Sequence, residues 1–249
     1  MRNTMNFFGI IAIIAIIGCA MAACNSDVSD NIPVTSAPLG ATLNLSGQVY
    51  ELDYNTVSFK PSTGNLTVIA VYNTYDDDGY FIDPHPIGGN GNITAGQLAF
   101  SIGTPSHLVT ISEIFEREFL YANNIITINH PEVQAVRLDL ETPSGSWLRR
   151  SNSTVSGDYM TGFNIMGDDG DVVYIYVASD VTVSARRTSF SSVYNGFTWT
   201  ETINAFNIHL KAGWNALHIM DVYTESATRA TGTVTISAAN PGNLRWELH

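Results

Sequence analysis

The sequence predicts an all-β protein: an antiparallel β-sandwich, as two lobes or as one body, behind a signal peptide and a flexible stalk. Three observations carry that expectation. Short runs rich in Val, Ile, Thr, Tyr and Phe alternate with Gly, Asn, Asp and Pro punctuation. Several of those runs alternate apolar and polar residues with period two, as half-buried antiparallel strands do. Both cysteines, Cys19 and Cys24, lie at the end of the N-terminal apolar stretch. The body therefore holds no disulfide and must fold on its hydrophobic core alone.

Composition narrows the partners. At 45% apolar and 14% charged residues, the chain of 249 residues is globular rather than disordered or fibrous. Its formal charge is −12, and its lysines are Lys60 and Lys211. Nucleic acid is excluded, because phosphate neutralisation needs a basic surface.

Residues 1–23 read as a signal peptide. Arg2 precedes the apolar run Phe7 to Ile17, and small residues follow from Gly18 to Cys24. The core from Phe7 to Ile17 is shorter than the roughly 20 residues a spanning helix needs, so an uncleaved anchor is the weaker alternative. Met21-Ala22-Ala23-Cys24 resembles the bacterial lipobox. The resemblance implies cleavage before Cys24 and acylation of that cysteine. Ile16-Ile17-Gly18-Cys19 also fits the pattern. Cys24 is preferred because cutting there removes the small residues and opens the polar segment at once. Two or three acyl chains hold a protein stably on a membrane. The expected location is the cell envelope, lipid-anchored, on the periplasmic or cell-surface side.

Residues 24–41 are polar, contain Pro33 and Pro38 and show no period, which reads as a stalk. Beyond it the expected strands are Thr42–Leu52, Asn65–Tyr72, Gln97–Ile102, Ile125–Asn129, Val133–Glu141 and Val172–Ala178. They continue with Val181–Arg186, Gly196–Thr202, Ala205–Leu210, Trp214–Val222, Thr231–Ala238 and Leu244–Leu248. Val181, Val183 and Ala185 share one face, as do Phe206, Ile208 and Leu210. Lys211-Ala212-Gly213 reads as a hairpin loop with a positive φ at Gly213. The one helix expected is Ile111 to Tyr121, where Ile111, Ile114, Phe115 and Leu120 form an apolar stripe. Thr142-Pro143-Ser144-Gly145-Ser146 marks a boundary between lobes 42–142 and 143–249, with a single sandwich over 42–249 as the alternative.

The signal, the stalk and the runs Gly91-Asn92-Ile93-Thr94-Ala95-Gly96-Gln97-Leu98 and Leu210-Lys211-Ala212-Gly213-Trp214-Asn215 resemble uncharacterised envelope lipoproteins of spirochaetes and similar bacteria. That resemblance implies an anchored envelope protein and brings no activity or site with it.

Catalytic motifs are missing from the sequence. It has no Gly-x-Ser-x-Gly elbow, no His-Glu-x-x-His and no phosphate loop. The six histidines show no metal-ligand spacing. Asp76-Asp77-Asp78-Gly79 and Asp168-Asp169-Gly170-Asp171 crowd carboxylates beside glycine, as a calcium loop or a plain turn does, and neither fits the EF-hand spacing. Tyr72 to Gly89 reads as a long loop, a length that is usually functional or disordered. Within it Tyr75, Asp76, Asp77, Asp78 and Tyr80 are the candidate ligand contacts, with calcium at Asp76–Asp78 as an option. The competing reading is a hairpin with Asp78-Gly79 at its tip. Trp199 shares a strand face with Phe197 and Glu201, as core or as ligand platform.

The expected function is a non-enzymatic, lipid-anchored binding module for a glycan, a peptide or a protein partner. An envelope polysaccharide hydrolase would instead show two carboxylates beside Trp or Tyr. A structural or adhesin subunit would show an open strand edge. Mass spectrometry of the native protein should find an acylated N-terminal Cys24, and Cys24→Ser should release the protein from membranes. An intact Met1 on the mature chain would contradict the anchor.

Overall fold

Period-two alternation becomes a nearly continuous run of strands. The computed structural model describes residues 33–35, 37–53, 58–75, 81–118, 125–151, 169–194, 197–226, 228–238 and 244–249. The signal peptide, Cys19 and Cys24 lie outside them. Each of the twelve expected runs is a strand, with ends within a few residues.

The first described elements are two short strands, β1 (Pro33–Thr35) and β2 (Ala37–Gly40). Part of the expected stalk is therefore held on the body: β1 pairs with the later strand at residues 207–209 and β2 with that at 214–216. β3 (Leu43–Asp53) and β4 (Ser58–Pro61) form a hairpin, and β5 (Leu66–Tyr75), β6 (Phe81–Thr94) and β7 (Gln97–Ile102) a meander returning to β3. β8 (Val109–Thr110) leads into α1 (Ile111–Glu118). The helix starts with a capping box: Thr110 N donates to Glu113 Oε2 at 2.8 Å, and Glu113 N to Thr110 Oγ1 at 3.3 Å.

β9 (Ile126–Ile128), β10 (Gln134–Glu141), β11 (Trp147–Ser151), β12 (Asp169–Val177) and β13 (Val181–Ala185) follow. The last strands are β14 (Thr188–Tyr194), β15 (Phe197–Ile203), β16 (Phe206–Leu210), β17 (Gly213–Ser226), β18 (Arg229–Ala238) and β19 (Arg245–Leu248).

The all-β expectation holds, but the core sheet closes into a barrel of eight strands instead of stacking as a sandwich. Around it run β12, β11, β19, β3, β7, β6, β5 and β10. Closure comes from β10, whose residues 135–138 pair with β12, whereas residues 139–141 pair with β5 and the last two of these also with β11. The expected lobe boundary at 142–143 falls inside the tight β10–β11 turn, where Thr142 N donates to Ser146 O at 2.9 Å. Strands from both sides of it share hydrogen bonds, with β19 lying parallel to β3.

Beyond β12 the sheet continues through β17, β18 and β15 to β14. One face of its inner part completes the barrel core: Val172, Tyr174, Trp214 and Ala216 join Leu45, Val68, Phe100 and Leu138. The opposite face, with Val173, Ile175 and Leu217, packs on α1 and on the small sheet β1-β16-β13-β9. Full burial of each such aliphatic side chain contributes about 1.5–3 kcal/mol. The barrel is apolar inside and polar outside, where Asn44, Ser46, Gln97 and Ser101 are exposed. That is the inverse of the alternation a membrane-spanning barrel requires.

Lys211-Ala212-Gly213 is not a hairpin loop. β16 and β17 belong to different sheets, and the segment turns the corner between them. Gly213 does take φ +101°, and a Cβ there would lie 2.5 Å from Gly40 O. Fully buried Asn215 holds the corner: its Oδ1 accepts from Lys211 N at 3.0 Å, and its Nδ2 donates to Lys211 O at 2.8 Å.

The β6–β7 loop is a true two-residue hairpin. Ala95 and Gly96 have φ +48° and +76°, the pattern of a type I′ turn. Its tip docks on the 62–64 segment, so that a Cβ on Gly96 would sit 1.8 Å from Ser62 O. Gly96→Ala should cost about 3 kcal/mol or more in denaturant unfolding. Ala95→Gly should gain about 0.5–1 kcal/mol by relieving the left-handed conformation, net of glycine's entropy. Equal stabilities for both variants would contradict this turn.

Candidate functional site

Within the segment from Tyr72 to Gly89, residues 72–75 and 81–89 are strand rather than loop, because β5 and β6 pair from Leu66↔Ile93 to Tyr75↔Phe81. Its prolines and glycines signal a loop in the sequence. The structure accommodates them because β7 pairs only with residues 90–94, leaving residues 84 and 86 on a one-sided stretch. Tyr75 ends β5, while Asp76, Asp77, Asp78 and Tyr80 lie outside the described residues. Tyr72 is barrel core at 3% exposure. The other acidic run is no turn either, since Asp169, Gly170 and Asp171 are strand residues paired with β17.

The histidines are scattered. His85 and His107 stack at 4.9 Å beside Tyr72, while His209 Nδ1 is 3.0 Å from Thr182 Oγ1. Burial holds the His218 pKa below its ordinary value, against the opposing pull of Asp171. Among the described residues no three His, Cys, Asp or Glu side chains gather as a metal set. On the outer wall, fully buried Glu247 accepts from Arg245 Nε at 2.9 Å, and Arg245 covers the Phe59 ring at 4.2 Å. These contacts fasten β19 to the β3–β4 hairpin.

Two features stand out on the outlying strands β14, β15, β18 and β17, one on each face. Ser189 and Ser191 on β14, Thr198, Thr200 and Thr202 on β15, and Thr231, Thr233 and Thr235 on β18 all point to the same side. Cross-strand register sets them in ranks: Ser191, Thr200, Thr231 and Thr224 in one, Ser189, Thr202 and Thr233 in the next. Neighbours touch, with Ser189 and Thr202 hydroxyls 2.8 Å apart and those of Ser191 and Thr200 2.9 Å apart. All of these side chains are half-buried or exposed. Strand geometry spaces such hydroxyls about 4.8 Å across the strands and about 6.7 Å along them. Among the described residues this face carries no carboxylate, and Arg229 stands at its end. Thr198-Trp199-Thr200-Glu201-Thr202 and Thr231-Gly232-Thr233-Val234-Thr235 are the readable signal for it, a threonine at every second position.

The reverse face of the same strands carries Phe190, Trp199, Glu201 and Asp221 around Gly232. The Glu201 pKa is raised, first by burial and then by the Asp221 charge, with a hydrogen bond to Trp199 opposing. Partial desolvation also raises the pKa of Asp221, although this side chain is exposed at the surface, against a backbone hydrogen bond at Thr233. The expected pairing of Trp199 with Glu201 on one face is thus present, with a second carboxylate beside it.

No protein-family model matches this chain, and no curated protein or solved structure matches it either.

A carboxylate whose folded-state pKa is raised binds its proton more tightly folded than unfolded. Its contribution to stability is full below the ordinary value of 4.5 and is lost as pH rises through the folded-state pKa. Glu201→Gln should therefore raise the Tm at pH 8, and the gain should disappear by pH 4. A gain of the same size at both values would contradict the burial of this carboxylate.

Proposed function

We propose that this chain is a lipid-anchored protein of the cell envelope that binds a neutral, extended glycan through the hydroxyl face of β14, β15 and β18. The observation that carries the reading is the two-dimensional grid of Ser and Thr side chains. Each hydroxyl offers one donor and two acceptor lone pairs, and each threonine adds a methyl beside it. A sugar ring presents the same mixture of hydroxyls and C–H groups. Charge agrees with it: a chain of net charge −12 repels anionic polymers, and a face with no carboxylate among the described residues does not attract a cationic one. A polar-outside barrel has no means of inserting into lipid, so a tether at Cys24 is the attachment that suits it.

The second reading is an envelope polysaccharide hydrolase, favoured by the Glu201–Asp221 pair beside Trp199 on the reverse face. Glycoside cleavage uses two carboxylates, one held protonated by its surroundings.

Detergent-solubilised full chain on a glycan array should bind neutral polysaccharides. Thr200→Val with Thr231→Val, which removes two hydroxyls at constant shape, should weaken that binding about tenfold or more at unchanged Tm. Unchanged binding in the double variant would overturn the assignment to this face. Release of reducing sugar ends, lost in Glu201→Gln, would favour the hydrolase instead.

A further inference from the structure

The long sheet ends in β14, which pairs with β15 alone among the described strands. Native sheets blunt their open edges with short strands, proline, lysine or bulges, because a row of unpaired N–H and C=O groups invites another chain. The other edge strands among the described residues follow that rule. β8 has two residues and β9 three. β1 and β2 contain Pro33 and Pro38, and β4 contains Lys60 and Pro61. β14 does not follow it. Its seven residues, Thr-Ser-Phe-Ser-Ser-Val-Tyr, include no proline, no charge and no bulge.

The direction of its backbone groups can be read from β15. Successive strand residues turn their N–H and C=O groups to alternate sides. Thr198 N donates to Thr228 O and Asn204 N to Val234 O, both on the β18 side. The odd-numbered residues of β15 therefore turn to β14, where they meet Thr188, Phe190, Ser192 and Tyr194. That leaves the N–H and C=O groups of Ser189, Ser191 and Val193 on the open side. Val193 is itself 65% exposed.

We propose that β14 pairs antiparallel with β14 of a second copy of this chain, about a two-fold axis at Ser191. Ser191 is the middle one of the three outward residues, so this register alone bonds all of their groups within the strand. Ser191 opposes its own counterpart, and Ser189 opposes Val193. Large then meets small on both faces of the seam, Val193 against Ser189 and Phe190 against Ser192. Arg186 and Arg187, exposed just before β14, fall at opposite ends of the seam. Parallel pairing would set them side by side, where like charges repel. A two-fold axis perpendicular to the sheet keeps both hydroxyl faces on one side, so the dimer presents a grid twice as wide. The seam rests on backbone geometry and does not depend on glycan binding.

Sedimentation velocity of the full chain in excess non-ionic detergent tests the seam. A single strand pair makes a small interface, so the wild type should pass from monomer to dimer between about 1 and 100 µM. Ser191→Lys and Ser191→Asp each set two like charges face to face and should stay monomeric over that range, at unchanged Tm. Mixed in equal amounts the two variants should dimerise again, because opposite charges then meet on the axis. A wild type that stays monomeric throughout the range would overturn the proposal. So would a dimer that persists in Ser191→Lys, or a mixture that stays monomeric.

Discussion

Everything in this fold depends on β10 pairing with two sets of neighbours within one sheet. Its first half pairs with β12 and its second half with β5 and β11, so the β10–β11 hairpin opens like a fork and β12 lies across the gap. That arrangement closes the barrel and also gives β12 two buried faces. The run Val172-Val173-Tyr174-Ile175-Tyr176-Val177 is apolar on both sides for this reason, sending Val172 and Tyr174 into the barrel and Val173 and Ile175 into the second core. One strand thereby joins two hydrophobic clusters that neither the barrel nor the small sheet could complete alone.

The outlying strands follow from the same constraint. β17 is fourteen residues long, and β12 covers only its first part. Its other edge pairs with β18 from Leu217 to Ser226, and β18 carries β15 and β14 away from the barrel. A sheet that leaves its core no longer has to bury both faces, and its residues change accordingly. Threonine suits that position, since its β-branch favours strands while its hydroxyl satisfies the solvent side. The hydroxyl face is thus the part of the sheet that packing leaves open, which makes it available for recognition.

Local features were legible in the sequence and pairing was not. Runs such as Val181–Ala185 and Phe206–Leu210 announce strands because alternation is a property of neighbouring residues. Barrel closure rests on contacts between residues far apart in the chain, such as Trp246 beside Val49, and no periodicity encodes them. The same blindness turned Lys211–Gly213 into an expected hairpin, though its glycine was placed correctly. Asp83-Pro84-His85-Pro86 reads as a loop until its strand is known to pair on one side there. Of the candidate contacts, the acidic run at residues 76–78 came from composition. The threonine grid needed the parallel register of β15 and β18 before two unremarkable Thr-x-Thr-x-Thr runs became one surface.

The central claim is that one strand unites the body, and native-state hydrogen exchange tests it most directly. The fork predicts that amides of β3, β5, β7, β10, β12 and β17 exchange through a single global opening, with the same free energy and the same dependence on denaturant. Two separate openings, one for strands before residue 142 and another for those after it, would contradict it.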